Sequence, residues 1–232
     1  MPDRNFPLVS CLVATMPSRR RFWPMMFKCF EHQDWPNKRM VLLDDEETAE
    51  KLPRNVEHVV VKSATIGRKL NVGVAQSVAD FYHKWDDDDW YASNFLGSMV
   101  NPIRNVAGGV SVVLRHSIFL VRDWELYSMY PCMGGGSICF DKASWEEKKF
   151  EEVSLGEDQD FILGRTRFQT VLPQSDNYVL VRHGGNTWKR WSHGATVETE
   201  AKSRGVPIPG GPEGFFSAED LKFYRSLRDQ QR

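Results

Sequence analysis

Along the chain, short β-branched runs alternate with longer stretches of helical spacing. Leu8 to Thr15 is an apolar run closed by Met16-Pro17-Ser18, which predicts a buried first strand and a turn. Phe22 to His32 has helical length and apolar spacing, and Arg39 to Leu43 is a second buried run ending on Asp44-Asp45. Val56 to Val61 predicts a third strand. Ile66 to Ala79 predicts a helix whose Leu70, Val74 and Val78 fall on one face. Phe81 to Trp85 is a short fourth strand running into Asp86-Asp87-Asp88-Asp89. This alternation predicts a mainly parallel sheet with helices on its faces, in which ligands bind at the carboxyl ends of strands. The polar strand ends near Thr15, Asp44 and Asp86 are therefore expected along one edge.

The second half is less regular. Tyr91 to Val100 reads as a helix with Asp89 placed to cap its free amides. Val110 to Leu114 and Ile118 to Val121, separated by Arg115-His116-Ser117, read as a hairpin, and Gly134-Gly135-Gly136 precedes a strand at Ser137 to Phe140. Leu155 to Leu163 carries Gly156-Glu157-Asp158-Gln159-Asp160-Phe161, with acids positioned to open a short helix. Tyr178 to Arg182 is the last strand, ending at His183-Gly184-Gly185. Beyond Val206, Pro207, Pro209, Gly210, Gly211 and Pro212 break the chain before a terminal helix at Ser217 to Arg228, capped by Ser217.

At 232 residues, 41% hydrophobic and 26% charged, the composition is that of a globular domain, with no apolar run near the roughly 20 residues of a spanning helix. An acid and a base precede the first apolar run and three arginines follow it, which is not the layout of a signal peptide, so a cytoplasmic location is expected. Cys11, Cys29, Cys132 and Cys139 form no CxxC pair, and Cys11 and Cys139 read as core filling, so neither zinc nor disulfides are expected. A net charge of −1 gives no global attraction to nucleic acid or anionic membrane. Arg19-Arg20-Arg21 reads as a solvated helix start, with a local phosphate contact as the alternative.

Four consecutive aspartates repel one another unless a cation or hydrogen-bond donors answer them. In an extended stretch Asp86 and Asp88 would face one way and Asp87 and Asp89 the other. Hard carboxylate oxygens favour Mg²⁺ or Mn²⁺ shared with substrate phosphates. The alternative is an exposed acidic turn, which the flanking Trp85, Trp90 and Tyr91 make less attractive.

At these positions the chain resembles the family-two glycosyltransferases, which have the GT-A fold. Pro7 to Arg19 resembles their opening strand and donor-binding turn, and Val41-Leu42-Leu43-Asp44-Asp45 their second strand, whose terminal aspartate contacts the nucleobase. Gly67-Arg68-Lys69-Leu70-Asn71-Val72-Gly73 resembles the basic, Asn-containing helix start. Trp85 to Tyr91 is similar to the DxD region, and Gly156 to Phe161 to the Glu-Asp motif. The likeness runs over roughly residues 7 to 191 with motif order preserved. It implies an α/β, Rossmann-like single domain with a mixed, mainly parallel central sheet flanked by helices. The domain would cover 1–205, divided into a nucleotide-binding half of about 1–90 and an acceptor half of about 91–205, followed by an extension at 206–232.

The resemblance further implies an inverting, metal-dependent transfer of a sugar from a nucleotide-diphosphate donor, by family habit UDP-linked, to a hydroxyl acceptor. Asp158 would be the general base, and Asp88 and His183 would hold Mn²⁺ or Mg²⁺. Thr15, Pro17, Arg19, Asp44, Asp45, Arg68, Lys69, Asn71, Asp86, Asp87, Gly135 and Arg190 would contact the donor. Glu157 and Asp160 would position the acceptor or cap the helix. Met16 and Glu46-Glu47 depart from the residues usual at those turns, which bears on nucleobase preference. Thr187 stands where processive members have Gln, so polymer synthesis is not expected. For Trp188 and Trp191, sugar stacking and core packing stay open, as do a fitted and a flexible loop for Gly134 to Gly136. An envelope glycan, a protein or a modified nucleic-acid base would each serve as acceptor. A nucleotidyltransferase making nucleotide sugars and a non-catalytic carbohydrate- or Ca²⁺-binding module are the alternatives.

Overall fold

The apolar runs form strands and the periodic stretches form helices in a computed structural model that describes residues 6–163, 165, 167–171, 177–191 and 193–229. The first half contains β1 (Val9–Ala14), α1 (Trp23–Glu31), β2 (Lys38–Asp44), β3 (Val56–Val60), α2 (Ile66–Gln76) and β4 (Phe81–Lys84). Its strands pair in parallel, β1 with both β2 and β4, and β2 with β3. The second half contains β5 (Trp90–Tyr91), α3 (Phe95–Val100), β6 (Ser111–Leu114), β7 (Ser117–Leu120), β8 (Leu126–Met129) and β9 (Cys139–Asp141). There follow α4 (Lys142–Glu147), α5 (Glu157–Ile162), β10 (Phe168–Val171), β11 (Tyr178–Val181), α6 (Val197–Arg204), β12 (Val206–Pro207) and α7 (Ala218–Asp229).

Seven strands form the central sheet in the order β10-β6-β9-β4-β1-β2-β3. β9 runs antiparallel to both β4 and β6, while β10 is parallel to β6, so the sheet is mixed and mainly parallel, as expected. A second sheet has the order β12-β8-β7-β11-β5. The predicted hairpin of the two runs flanking Arg115-His116-Ser117 does not form. β6 joins the central sheet, whereas β7 pairs with β8 and β11 in the second. Short spacing between the two runs suggested pairing, but two apolar faces in different layers claim them. The segment after residue 205 is stitched in at both ends: β12 pairs with β8, and Leu221, Tyr224 and Leu227 of α7 are buried.

One hydrophobic cluster joins a face of the central sheet to α1, α3, the second sheet and α7, and includes Cys11, Cys29, Cys132 and Cys139. A smaller one fills the opposite face under α2 and α5, where the Phe150 and Phe161 rings stack at 4.0 Å. Full burial of each such side chain contributes about 1.5–3 kcal/mol. α2 lies so close to the sheet that a β-carbon at Gly73 would come within 2.9 Å of Leu43 and 3.0 Å of Leu12. This helix stops at Gln76, because Ser77 turns extended and its hydroxyl donates to the Gly73 carbonyl at 2.6 Å. Val78, predicted on the buried face, is consequently 81% exposed. Among the described residues no helix is long and apolar enough to cross a membrane.

Candidate active site

β1 delivers Thr15 to the sheet edge, and a tight 3-10 turn over Pro17–Phe22, started by its proline, folds Arg19 and Arg20 back across the strand ends. Arg19 grips the aspartate turn. Its Nε lies 2.9 Å and 3.0 Å from the two oxygens of Asp87, and its Nη2 lies 2.5 Å from Asp87 Oδ1 and 2.6 Å from Asp88 Oδ2. The Thr15 hydroxyl donates to Asp87 Oδ2 at 2.8 Å. Asp88 Oδ2 also meets His183 Nε2 at 2.7 Å and accepts from Asn186 Nδ2 at 3.1 Å. Asp86 pairs with the Lys84 ammonium at 2.7 Å.

The turn is therefore not a solvated acidic loop: Asp87, Asp88 and Asp89 are buried, and Arg19 answers the first two. Burial alone would raise the Asp88 pKa, but Arg19 and His183 outweigh it and hold the carboxyl well below its ordinary range. Burial dominates at Asp86, Asp87 and Asp89, whose pKa values are raised. Two expectations need correction. The chain bends at residues 87–89 instead of running extended, so Asp87 and Asp88 share one arginine rather than facing opposite ways. Asp89 caps no helix: α3 starts only at Phe95 behind Asn94, and Asp89 accepts from the Tyr178 hydroxyl at 2.7 Å and the Val181 amide at 3.0 Å.

These groups line a cleft of about 630 Å³. Its far wall is the start of α5, entered through Gly156 at φ 87°, a left-handed geometry that favours glycine. Glu157 is buried 3.9 Å from the Lys84 ammonium, and burial, opposed by Lys84, pushes its carboxyl up to about 7. Asp158 faces the cleft beside it and accepts from the Gln159 amide at 2.8 Å. Asp160 turns away to pair with Lys148 at 3.0 Å. Gly134 to Gly136 is a fitted loop between the walls. A β-carbon at Gly135 would sit 1.9 Å from Asp158 Oδ2, and one at Gly136 within 2.6 Å of the Tyr178 hydroxyl and 2.7 Å of that of Tyr91. An alanine at position 135 would therefore displace Asp158.

The structure brings Thr15, Arg19, Lys69, Asp86, Asp87, Asp88, Gly135, Asp158 and Arg190 to the cleft. His183 sits against Asp88, its ring 4.6 Å from that of Phe22. Pro17, Asp44, Asp45, Arg68 and Asn71 are not among the lining residues. Asp44 is fully buried and accepts from Arg20 Nε at 3.1 Å and Nη2 at 2.9 Å, so its carboxylate is spent inside the fold and Arg20 is no solvated helix start. Asp45 lies 2.9 Å from Lys69 Nζ, which also donates to the Thr15 carbonyl at 2.6 Å. Arg68 points outward, 3.9 Å from Glu152. Asn71 fastens α2 to the chain before α5, donating to the Phe150 carbonyl at 2.8 Å and accepting from Trp145 Nε1 at 2.9 Å.

Among the lining residues that the sequence reading did not single out are Lys84, Arg182 and Asn186. Lys84 left a signal, since it stands two positions before Asp86 and so shares its side of a strand. Trp188 and Trp191 line the cleft and pack edge to face with each other at 4.8 Å, with Trp188 against Phe119.

No model of a known protein family matches the chain, and no curated protein does. Solved structures do. The mannosyltransferase PcManGT from Pyrobaculum calidifontis, in complex with GDP-Man and Mn²⁺, superposes with a TM-score of 0.56 at 16% identity, over 78% of this chain and 59% of that one. TarS 1–349 from S. aureus in complex with UDP gives 0.54 at 15% identity, over 75% and 60%. Its complex with UDP-GlcNAc gives 0.53 at 15%, over 77% and 60%. The fold is that of the GT-A glycosyltransferases. The chain spans about three fifths of the length of these proteins.

Proposed function

We propose that this protein is a glycosyltransferase that moves a sugar from a nucleoside diphosphate donor, UDP-linked by family habit, to a hydroxyl acceptor with inversion at the anomeric carbon. One observation carries the reading: a single cleft in which the aspartate turn faces Glu157 and Asp158 across Gly135. Donor and acceptor fall to the halves of about 1–90 and 91–205. That the solved relatives are complexes with UDP, UDP-GlcNAc and GDP-Man supports a nucleotide-sugar donor.

A divalent cation fits the donor set. Asp88 is an ionised carboxylate with an imidazole against it, a hard oxygen beside a borderline nitrogen. Among the described residues no group of three or more His, Cys, Asp and Glu converges, so Asp88 and His183 would hold Mn²⁺ or Mg²⁺ together with phosphate oxygens, the usual arrangement for such ions. The bound ion supplies charge neutralisation on the leaving diphosphate. Arg19, Arg182 and Arg190, all lining the cleft, add to that charge. Asp158 takes the proton of the acceptor hydroxyl as its oxygen attacks from the face opposite the diphosphate. Trp188 and Trp191 offer a surface for a sugar ring.

Thermal unfolding with UDP-, GDP-, CMP- and TDP-sugars, with and without Mn²⁺, tests this. A ligand at 100 times its Kd stabilises the native state by about 2.7 kcal/mol. We expect a metal-dependent shift with one donor class that disappears in Asp88→Ala. Stabilisation by Ca²⁺ alone with no response to any nucleotide would instead make the protein a binding module.

A further inference from the structure

Resting on the cation site proposed at Asp88 and His183, we propose that Arg19 is the resident counter-cation of the aspartate turn and competes with the divalent ion for Asp88. The contact geometry sets up the competition. Asp88 Oδ2 is the oxygen that meets His183 Nε2 at 2.7 Å, and the same oxygen carries Arg19 Nη2 at 2.6 Å. A doubly charged ion held by that oxygen and the imidazole would stand beside the guanidinium, and like charges that close repel strongly in a buried site.

Arg19 has a way to yield without leaving the turn. Its grip on Asp87 uses Nε toward both carboxylate oxygens, and Asp87 is held in turn by the Thr15 hydroxyl. The far edge is tethered through Nη1 to the Gly185 carbonyl at 3.1 Å, and the guanidinium lies 5.2 Å over the Phe22 ring. What has to open is the hold of Nη2 on Asp88 Oδ2 and on Asp87 Oδ1, while Nε keeps both oxygens of Asp87. A small swing about the Nε anchor then turns Nη2 into the cleft, which Arg19 already lines, toward the space where the diphosphate would lie. The positive charge that closes the cation site in the free protein thus becomes a phosphate contact once the ion is in place. The ion binds weakly alone and better with a nucleoside diphosphate, whose phosphates give Nη2 a new acceptor.

The test needs no nucleotide. Titrating the full chain with Mn²⁺ and following the free-ion electron paramagnetic resonance signal, Arg19→Met is expected to bind Mn²⁺ at least tenfold more tightly than wild type. Unchanged or weaker affinity in a folded Arg19→Met protein overturns the proposal, as does the absence of Mn²⁺ binding by both proteins. Should Arg19→Met not fold, ¹⁵N-arginine-labelled wild type is titrated with Mg²⁺, the Arg19 Nε–Hε resonance being assigned by Arg19→Lys. That resonance is expected to shift along the ion-binding curve, and an unmoved resonance under saturating Mg²⁺ overturns the proposal. Failure of the donor reading is seen separately: Mn²⁺ affinities behave as expected while no nucleotide sugar shifts the melting temperature. A donor-induced shift with Mn²⁺ affinity indifferent to residue 19 sinks the competition alone.

Discussion

Asp158→Asn is expected to slow sugar transfer about 10²–10⁴-fold, the contribution of a positioned general base, while donor-induced thermal shifts remain. Asparagine keeps the shape and the oxygen that accepts the Gln159 amide at 2.8 Å, so α5 should start as before. What it loses is the capacity to take a proton. Asp158 is singled out by position: Gly135 has surrendered its side chain to it, and Lys84 lies between it and Asp86. The measurement is kcat by nucleoside diphosphate release, beside thermal shifts with the same donor. Near wild-type turnover would move the role to Glu157. In that case activity should rise through about pH 7, because the buried Glu157 carboxyl is ionised only above that value.

The second large effect concerns stability in acid. His83 is fully buried on β4, ringed by Trp85, Tyr91 and Phe95, and neither ring nitrogen has a hydrogen-bond partner among the described residues. Burial, aided by the neighbouring Lys84 charge, lowers its pKa from 6.5 to about 3. The folded protein therefore keeps this imidazole neutral while the unfolded chain protonates it. Stability is fully present above pH 6.5 and drains away as pH falls toward 3, by roughly 2 kcal/mol at pH 5 and 4–5 kcal/mol at pH 3. His83→Leu should remove that slope and, by deleting two unpaired polar atoms, melt at or above the wild-type temperature at pH 7. The informative quantity is the variant-minus-wild-type difference in urea unfolding free energy at pH 7 and 5. If it does not change between the two, the unfolded state is not drawing its proton at His83.

Much of the first half was legible because its signals are local. A β-branched or aromatic run ended by Thr15 or Asp86 needs only its own residues to read as a strand pointing at a cleft, and the parallel core of β1, β2 and β4 follows from that alternation. What stayed hidden depends on partners far along the chain. Asp44 and Asp45 look equivalent in sequence, yet Arg20, 24 residues away, takes Asp44 out of reach. Arg19 meets Asp87 across 68 residues, so neither a solvated helix start nor an alternating strand described the pair. Asn71 carries an amide that suits a ligand, but Trp145 and the Phe150 backbone use it for packing. Asp89 looked like a cap because it precedes a helical stretch. The actual claim on it comes from β11, which no local pattern announces.

The glycine loop decides where this protein can change its habits. With Asp158, Tyr178 and Tyr91 pressed against positions 134–136, no side chain fits there without displacing them. Met133, 41% exposed, and Leu155, 62% exposed, stand on the same cleft without that confinement. Room for new side chains on this cleft is therefore found at its rim and not at the glycine loop.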